Sequence, residues 1–411
     1  VTRRALDVGI VGCGTAGAAA SVFLARAGHR VTLFERVDDP RPIGAGIVLQ
    51  PTGQAVLGAL GLREQIVSRG ARIDRLRVVT PGGRRVMNLV YEDFDPTMFG
   101  VGVHRGALFA SLFAAVAREP VDLRLGVSIE RLTRVAHDRV AVLDTHGRRH
   151  GPYDLVVVAD GSRSQLRAAS PARVSPYAWG ALWSVVDDPE QIFQGELHQV
   201  VRGTSTMLGF LPTGFGPEQS HTTPLVSVYW SLRGDRVEEL LAGGLDAWKG
   251  QVLSYAPHAE PILDRIASRE QVLFTSYQHV SMSRWASHDV VYVGDAAHSM
   301  SPQLGQGCNL ALVDAWTLAA SLATHDDVAS ALCAYVGARS DHLRFYQFAT
   351  RALTPFFQSD LTPLGWVRDV GMGTAHRFRF FNRLMTASMC GTMTGLLSRL
   401  PLPGSQPAAR G

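Results

Sequence analysis

Lysine is almost missing. Of the 40 basic residues in the 411-residue chain only Lys249 is a lysine, so any chemistry that needs a catalytic lysine has one place to go. The four cysteines, Cys13, Cys308, Cys333 and Cys390, show no CxxC spacing, and the histidines form no cluster at metal-ligand intervals. Neither a zinc site nor a disulfide framework is expected, and a reducing cytoplasm is the simplest compartment. No stretch approaches the roughly 18 uninterrupted apolar residues of a membrane span, and the first apolar run carries glycines where a secretory leader would carry a cleavage site. The chain is therefore expected to be soluble. A net charge of +4 and a pI near 9.0 are mild, and the arginines are scattered through apolar segments, which argues against a nucleic-acid partner. There is no internal repeat and no low-complexity tract.

What is present is an ordinary globular composition, 46% hydrophobic, with length enough for two or three domains. Asp7 to Val11 is a short β-branched run ending in Gly12. Ala16 to Ala27 reads as a small-residue helix, and Arg30 to Glu35 as a second strand. Asp154 to Ala159 and Asp289 to Val293 are continuous apolar runs that suit a parallel sheet covered on both faces. Ile73 to Val90 alternates like a hairpin around Pro81-Gly82-Gly83, and Ala178 to Leu232 holds aromatic-rich strands broken by Pro and Gly, so a second sheet is expected inside the nucleotide domain. Asp246 to Ser254 and Leu310 to Thr324 read as helices. Val328 to about Leu400 reads as mostly helical with breaks at Pro355 and Pro363, and 401–411 as a frayed tail.

Gly12-Cys13-Gly14-Thr15-Ala16-Gly17 fits G-x-G-x-x-G between a strand and a helix, and Glu35 closes the next strand about 20 residues on. Gly12 permits the tight turn, Gly14 lets backbone approach a pyrophosphate, and Gly17 lets helix and strand pack closely. The helix N-terminus offers unpaired N–H groups and the positive end of its dipole. Glu35 can accept from ribose hydroxyls of an adenosine that lacks a 2′-phosphate. The motif alone does not separate FAD from NAD. Two later segments decide it, because Asp160-Gly161-Ser162-Arg163-Ser164 and Gly294-Asp295-Ala296-Ala297-His298 each place an Asp at the carboxyl end of a buried strand, where open α/β sheets bind ligands.

With those three motifs the chain resembles the FAD-dependent aromatic-ring monooxygenases of the para-hydroxybenzoate hydroxylase superfamily, over nearly its whole length. The resemblance implies an α/β fold: a Rossmann-like FAD-binding domain, an inserted, mainly β substrate domain, and C-terminal helices. The corresponding boundaries are 1–72, 98–176 and 280–325 for FAD, 73–97 and 177–279 for substrate, 326–400 for the helices and 401–411 for the tail. It implies that Asp295 bonds the ribityl chain and that Asp160 supports the flavin and the passing nicotinamide. Ile43 to Pro51 resembles the family's flavin-facing loop, and Val103 to Leu108 the helix whose Arg105 reaches the FAD phosphate and ribityl region. Arg36 and Arg41 are further cofactor-side expectations. Pro302, Gly305, Gly307, Cys308 and Asn309 belong to a glycine-rich helix entry whose amides can wrap the flavin's pyrimidine edge, where the helix dipole would stabilise the anion of reduced flavin. Cys308 is read as a packing residue and His298 as holding the turn after Asp295.

With no second G-x-G-x-x-G, NAD(P)H is expected to dock transiently. The resemblance then implies that O₂ adds to reduced flavin at C4a and that the hydroperoxide hydroxylates or epoxidises an electron-rich aromatic or polycyclic substrate. No residue stands out as its base. His198, His221 and Tyr229 lie in or beside the inserted sheet and are weak catalytic candidates. Val48, Gln50, Trp183, Phe210 and Trp230, with Trp179, are candidates for a flat apolar pocket. A halogenase of this fold needs a lysine between flavin and substrate, and Lys249 is near no flavin motif. A reductase of the geranylgeranyl-reductase type and a non-catalytic flavin redox sensor are the other readings. A monomer or homodimer is expected. Near the C-terminus, Phe356 to Asp360 and Trp366 to Asp369 precede Phe378 to Met389, which with Arg377 and Arg379 combine apolar and basic residues. Two readings exist, a greasy substrate entrance or membrane-surface contact, or helices packed on the FAD domain, and the second is favoured because apolar helix faces are usually buried.

Overall fold

A computed structural model describes residues 4–42, 44–135, 139–170, 172–218, 220, 222–287, 289–375, 378–395, 398–401 and 403. His221, Ile43, Arg377 and nearly all of the expected tail lie outside them. The first layer is a six-stranded sheet in the order Ala286–Ser287, Val290–Tyr292, Leu155–Val158, Asp7–Val11, Arg30–Phe34, Val121–Arg124, parallel except for the two-residue edge strand. Its continuous apolar runs are explained by burial on both faces. Leu155 and Val157 join the core under the helices Thr15–Arg26, Arg105–Val116 and Gly307–Thr324, while Val156 and Val158 join the core beneath a three-stranded antiparallel sheet, Ile129–Tyr153. Gly9 is bare because the Tyr153 ring lies over it; a Cβ there would stand 2.8 Å from the ring.

The second sheet has nine strands and carries Ala172–Asp187, Gly195–Arg202, Thr206–Gly214, Leu225–Arg233 and Leu273–Met282 beside Ala71–Val79 with its hairpin partner Arg85–Val90. Two strands placed by sequence in the nucleotide domain, Gly46–Leu49 and Gly100–His104, extend this sheet instead. Glycines make the junction possible. A Cβ on Gly102 would fall 1.9 Å from the Pro212 carbonyl oxygen, and one on Gly46 2.1 Å from Thr213, so only bare backbone crosses the strand Thr206–Gly214 so closely.

Each strand's alternation divides the large sheet's faces. One face, with Phe210, Trp230, Val228 and Leu182, is covered by short helices between residues 237 and 266 through Trp248, Val252 and Ile262. The other, with Met207, Leu211, Tyr229 and Trp183, shares a core with Val48, Leu310 and the C-terminal helices. The long helix Val328–Phe357 runs through Pro355, where a break was expected, and Pro363 opens the helix Thr362–Ala375. Pro355 stands in the last turn, the helix ends two residues beyond it at Phe357, and its carbonyl accepts from the Ser359 hydroxyl at 2.6 Å. Among the described residues no helix is long and apolar enough to cross a membrane.

Candidate functional site: a dinucleotide and flavin cleft

The glycine turn is built for close approach. Gly12 sits at φ +99 against the Ala159 carbonyl, and a Cβ on Gly17 would lie 1.9 Å from the Gly12 oxygen. Gly14 is different: it caps the helix in extended geometry, and nothing stands within 4 Å of where its Cβ would be. The helix N-terminus thus opens onto free space, as an anion site requires. Glu35 accepts from the Cys13 amide at 2.9 Å and the Val37 amide at 3.1 Å, which fixes its carboxylate beside that opening.

Four motifs distant in sequence meet around Cys308. Thr15 bonds its thiol, and Arg105 and Asp295 both act on it electrostatically. Burial pushes that thiol up to about 12, so it is inert packing at neutral pH. Arg105 is exposed, its stem lying along Gly44 and its amide bonding the Ala45 carbonyl at 3.0 Å. Asp295 is exposed at the start of its short helix, with its carboxylate 3.9 Å from the position of a Cβ on Gly307. Asp160 is held above the usual carboxylate range by burial, and its Oδ1 has no partner. Gln303 Nε2, in the Pro302–Leu304 turn, is buried and equally unpaired. Buried polar atoms without partners in the Asp160 turn and the Pro302–Leu304 turn, together with an open helix N-terminus, are what a polar cofactor would satisfy, so these residues fit FAD.

Two anchors were not read from the sequence. Arg167 donates to the carbonyls of Gly161, Ser162 and Ala296, at 3.0 Å for the last, and so ties the Asp160 turn to the Asp295 turn. Asp314, fully buried, accepts from the Gly294 amide at 2.8 Å, from His298 at 2.6 Å and from Arg339 Nε at 2.7 Å. Arg339 also donates to His342 Nδ1, and His342 Nε2 donates to the Gly391 carbonyl at 2.7 Å. Burial and the adjacent Arg339 push His342 down to about 3, in keeping with a neutral ring that accepts at one nitrogen and donates at the other. The available signal was a lone carboxylate in the apolar run Leu310 to Trp316, since a buried Asp needs a partner. His298 holds its turn, as expected, through Asp314.

Asn309, in the first turn of its helix, spends its side chain on protein backbone, accepting from the Gln50 amide at 2.8 Å and donating to the Val48 and Gly305 carbonyls, which clamps the strand Gly46–Leu49 to the helix. Several expectations are corrected. Gln50 is buried with its side chain bonded to the Tyr91 hydroxyl at 2.6 Å, so it is no pocket wall. Arg41 stays on the surface with Asp39 at 2.9 Å, whereas Arg36 lies near enough to Asp160 to lower its pKa. Phe210, Trp230 and His198 point to the helix-covered face of the large sheet. His198 Nδ1 pairs with Glu196 at 2.9 Å and its ring packs against Phe193, so it faces away from the core that Val48 and Tyr229 share. Neighbouring strand residues face opposite ways, and the sequence did not say which parity faced which core. Val48 and Trp183 do join the core that the opposite face shares with Leu310 and the C-terminal helices. So does Tyr229, but burial pushes its phenol well above the ordinary range, which makes it a hydrogen-bonding group and not a base.

The comparisons agree with this geometry. The family model described as an FAD binding domain matches residues 5–343. A 2-heptyl-3-hydroxy-4(1H)-quinolone synthase of Pseudomonas aeruginosa is 30% identical over 319 residues, 76% of this chain and 80% of its own. The chain belongs to the single-component FAD-dependent aromatic hydroxylases. The hydroxylase is also 27% identical to a 3-hydroxybenzoate 6-hydroxylase of Klebsiella oxytoca, across 84% of this chain and 87% of that one. An HpxO variant of Klebsiella pneumoniae, solved with FAD, superposes with a TM-score of 0.79 at 20% identity, covering 94% of the hydroxylase and 99% of that chain. The protein is thus an FAD-dependent oxidoreductase of the monooxygenase type with a Rossmann-like cofactor domain and a β-sheet substrate domain.

Asp295→Ala is expected to leave the fold intact, because the side chain is exposed, and to weaken FAD by about tenfold or more, the worth of a charged hydrogen bond. Quenching of FAD fluorescence on titration into apoprotein measures it, and an unchanged Kd would remove Asp295 from the site.

Proposed function

We propose that the hydroxylase uses NAD(P)H and O₂ to insert one oxygen atom into an aromatic ring of a flat, largely apolar small molecule, in secondary metabolism or aromatic catabolism. The observation that carries this reading is one rung of the large sheet. Gln199, Gly209, Tyr229 and Trp183 are in register across four strands, on the face that shares a core with Val48 and Leu304. Bare Gly209 lets the Tyr229 ring lie flat across it; Gln199 donates to the Tyr229 hydroxyl, and the Trp183 ring stands 4.9 Å from that of Tyr229. Trp183 Nε1 donates to Tyr277 at 3.3 Å, and burial raises the Tyr277 phenol as well. The result is an aromatic wall with protonated hydroxyls, suited to stacking a planar ring and orienting a polar substituent.

Bound FAD, once reduced by a nicotinamide nucleotide, supplies the oxygen chemistry. The chain's residues would hold it in stated places: the pyrophosphate at the open N-terminus of Thr15–Arg26, the adenosine ribose at Glu35, the ribityl chain at Asp295 and Arg105, the pyrimidine edge at Pro302 to Gly307. Asn309 sets the spacing of Val48 against that edge through its backbone bonds. The aromatic wall excludes water while Tyr229 orients the substrate. The named relatives carry aromatic substrates or products in their names, which supports the ring as target. A cytoplasmic protein, monomeric or homodimeric, completes the proposal.

The test is a screen of phenols, quinolones and other heteroaromatics for stimulated NADH or NADPH oxidation by the FAD-loaded protein, with products weighed. A gain of one oxygen supports the proposal; substrate turnover that proceeds without O₂ overturns it in favour of a dehydrogenase. With a substrate in hand, Tyr229→Phe is expected to raise KM or lower kcat about tenfold with FAD content unchanged. Trp230→Phe, on the other face, should lower thermal stability without moving KM, and the reverse pattern would show the parity assignment to be wrong.

A further inference from the structure

The C-terminal helices have an inner and an outer face of opposite character. Phe345, Met372, Leu384 and Met385 turn inward from three successive helices, Val328–Phe357, Thr362–Ala375 and Arg379–Met389, and pack on the same core. The helix Thr362–Ala375 is further fixed by Arg368, which is buried, donates to the Gly203 and Phe356 carbonyls and pairs with Asp369. The packing expected from the sequence is therefore present, but it accounts for only one side.

On the other side the large residues are out in water. Of twelve large hydrophobics exposed among the described residues, seven fall between 348 and 380, including Phe348 at 72%, Trp366 at 72%, Phe378 at 69% and Phe380 at 70%. Elsewhere the most exposed aromatic of this group is Phe274 at 37%. Trp366 and Val370 are one helical turn apart, on the face opposite buried Gly365 and Arg368. Exposed aromatics this concentrated mark a contact surface.

Charge says with what. Between 361 and 389 the sequence holds four arginines and one acid, Asp369. That acid is already taken, by Arg84 at 2.8 Å and by Arg368. Arg379 and Arg383, one turn apart and exposed beside Phe380, form no ion pair among the described residues. Arginine heads flanking phenylalanine and tryptophan at one surface match the interface of an anionic bilayer, where rings enter the acyl boundary and guanidinium groups meet phosphates. We propose that the outer face of residues 361–370 and 378–383 docks the hydroxylase onto an anionic phospholipid membrane surface, without crossing it.

The experiment is co-sedimentation of the FAD-loaded full chain with vesicles of phosphatidylglycerol and phosphatidylcholine, 1:1 against pure phosphatidylcholine. Binding to the anionic vesicles, weakened several-fold by raising the salt, is expected. Trp366→Ser with Phe380→Ser should reduce the bound fraction about tenfold, and Arg379→Glu with Arg383→Glu should do so selectively for the anionic vesicles. These side chains are mostly exposed, so flavin absorbance and melting temperature should stay as in the parent protein. If one pair fails to fold, the other carries the test. The proposal is overturned if the parent protein stays in the supernatant with anionic vesicles, or if sedimentation ignores both pairs. It is equally overturned if light scattering shows a dimer that Trp366→Ser with Phe380→Ser splits while vesicles bind nothing, since the face would then join two copies.

Discussion

Asp314→Ala is expected to cost about 3–5 kcal/mol of stability and to leave the purified protein largely colourless. The substitution frees the Gly294 amide and His298, and it strands the fully buried Arg339 guanidinium without its counter-charge. The turn that presents Asp295 loses its support, so flavin affinity falls although Asp314 itself lies beneath the cleft. A control substitution at an exposed acid such as Glu64 should do neither. The same network predicts a pH dependence. His342 is held near 3, below its ordinary value of about 6.5, so the folded state favours the neutral ring. That contribution is complete above pH ~6.5 and erodes as pH falls from there toward 3. Asp314 is depressed, so its contribution persists at all pH values above the ordinary carboxylate range and is lost only in stronger acid. Melting temperature and released FAD fluorescence should therefore worsen between pH 7 and 4.5, and His342→Gln, which retains a donor for Gly391, should flatten that slope. An unchanged slope would assign the acid sensitivity to other groups.

Gly17→Ala is the second large effect, and it is best measured beside Gly14→Ala. One methyl on Gly17 meets the Gly12 carbonyl oxygen at 1.9 Å, against backbone that cannot yield without lifting the helix Thr15–Arg26 from its strand. Overpacking of this kind costs about 1–3 kcal/mol or more, and it opens the turn that positions the helix N-terminus. Both stability and flavin content should fall. Gly14 has ordinary extended dihedrals and empty space around the would-be methyl, so Gly14→Ala should leave the apoprotein as stable as before. Its methyl would instead occupy room assigned to the pyrophosphate and reduce flavin affinity alone. Calorimetry of apoprotein and flavin titration separate the two; equal melting losses would refute the assignment of that space to the cofactor.

What could be read in advance follows the range of the interactions. Gly12 to Gly17 and Glu35 lie within one βαβ unit, so spacing alone carries the reasoning from residues to cleft. Asp160 and Asp295 are legible because each terminates an apolar strand. The face of the large sheet was not legible, because Tyr229 and Trp230 are equally aromatic and differ only in parity, and parity is set by helices between 237 and 266 whose docking side the sequence does not mark. His198 fails for the same reason. Arg167 and Arg339 look like any other arginines in a chain that uses arginine for nearly every positive charge, and only their burial distinguishes them. Pro355 was read as a break, and the helix runs two residues past it before ending at Phe357.

The bond from His342 to the Gly391 carbonyl ties the segment after Arg379–Met389 to the Gly294-Asp295 turn through Arg339 and Asp314, and Gln306 adds a second tie to the Met389 carbonyl at 2.7 Å. Coupling of this sort is reciprocal: whatever flavin gains from the anchored segment, the segment gains from flavin. Dilute protease should therefore clip the segment 389–395 faster in apoprotein than in holoprotein, which turns a cleavage rate into a readout of cofactor occupancy and makes that segment a poor place to cut the chain short.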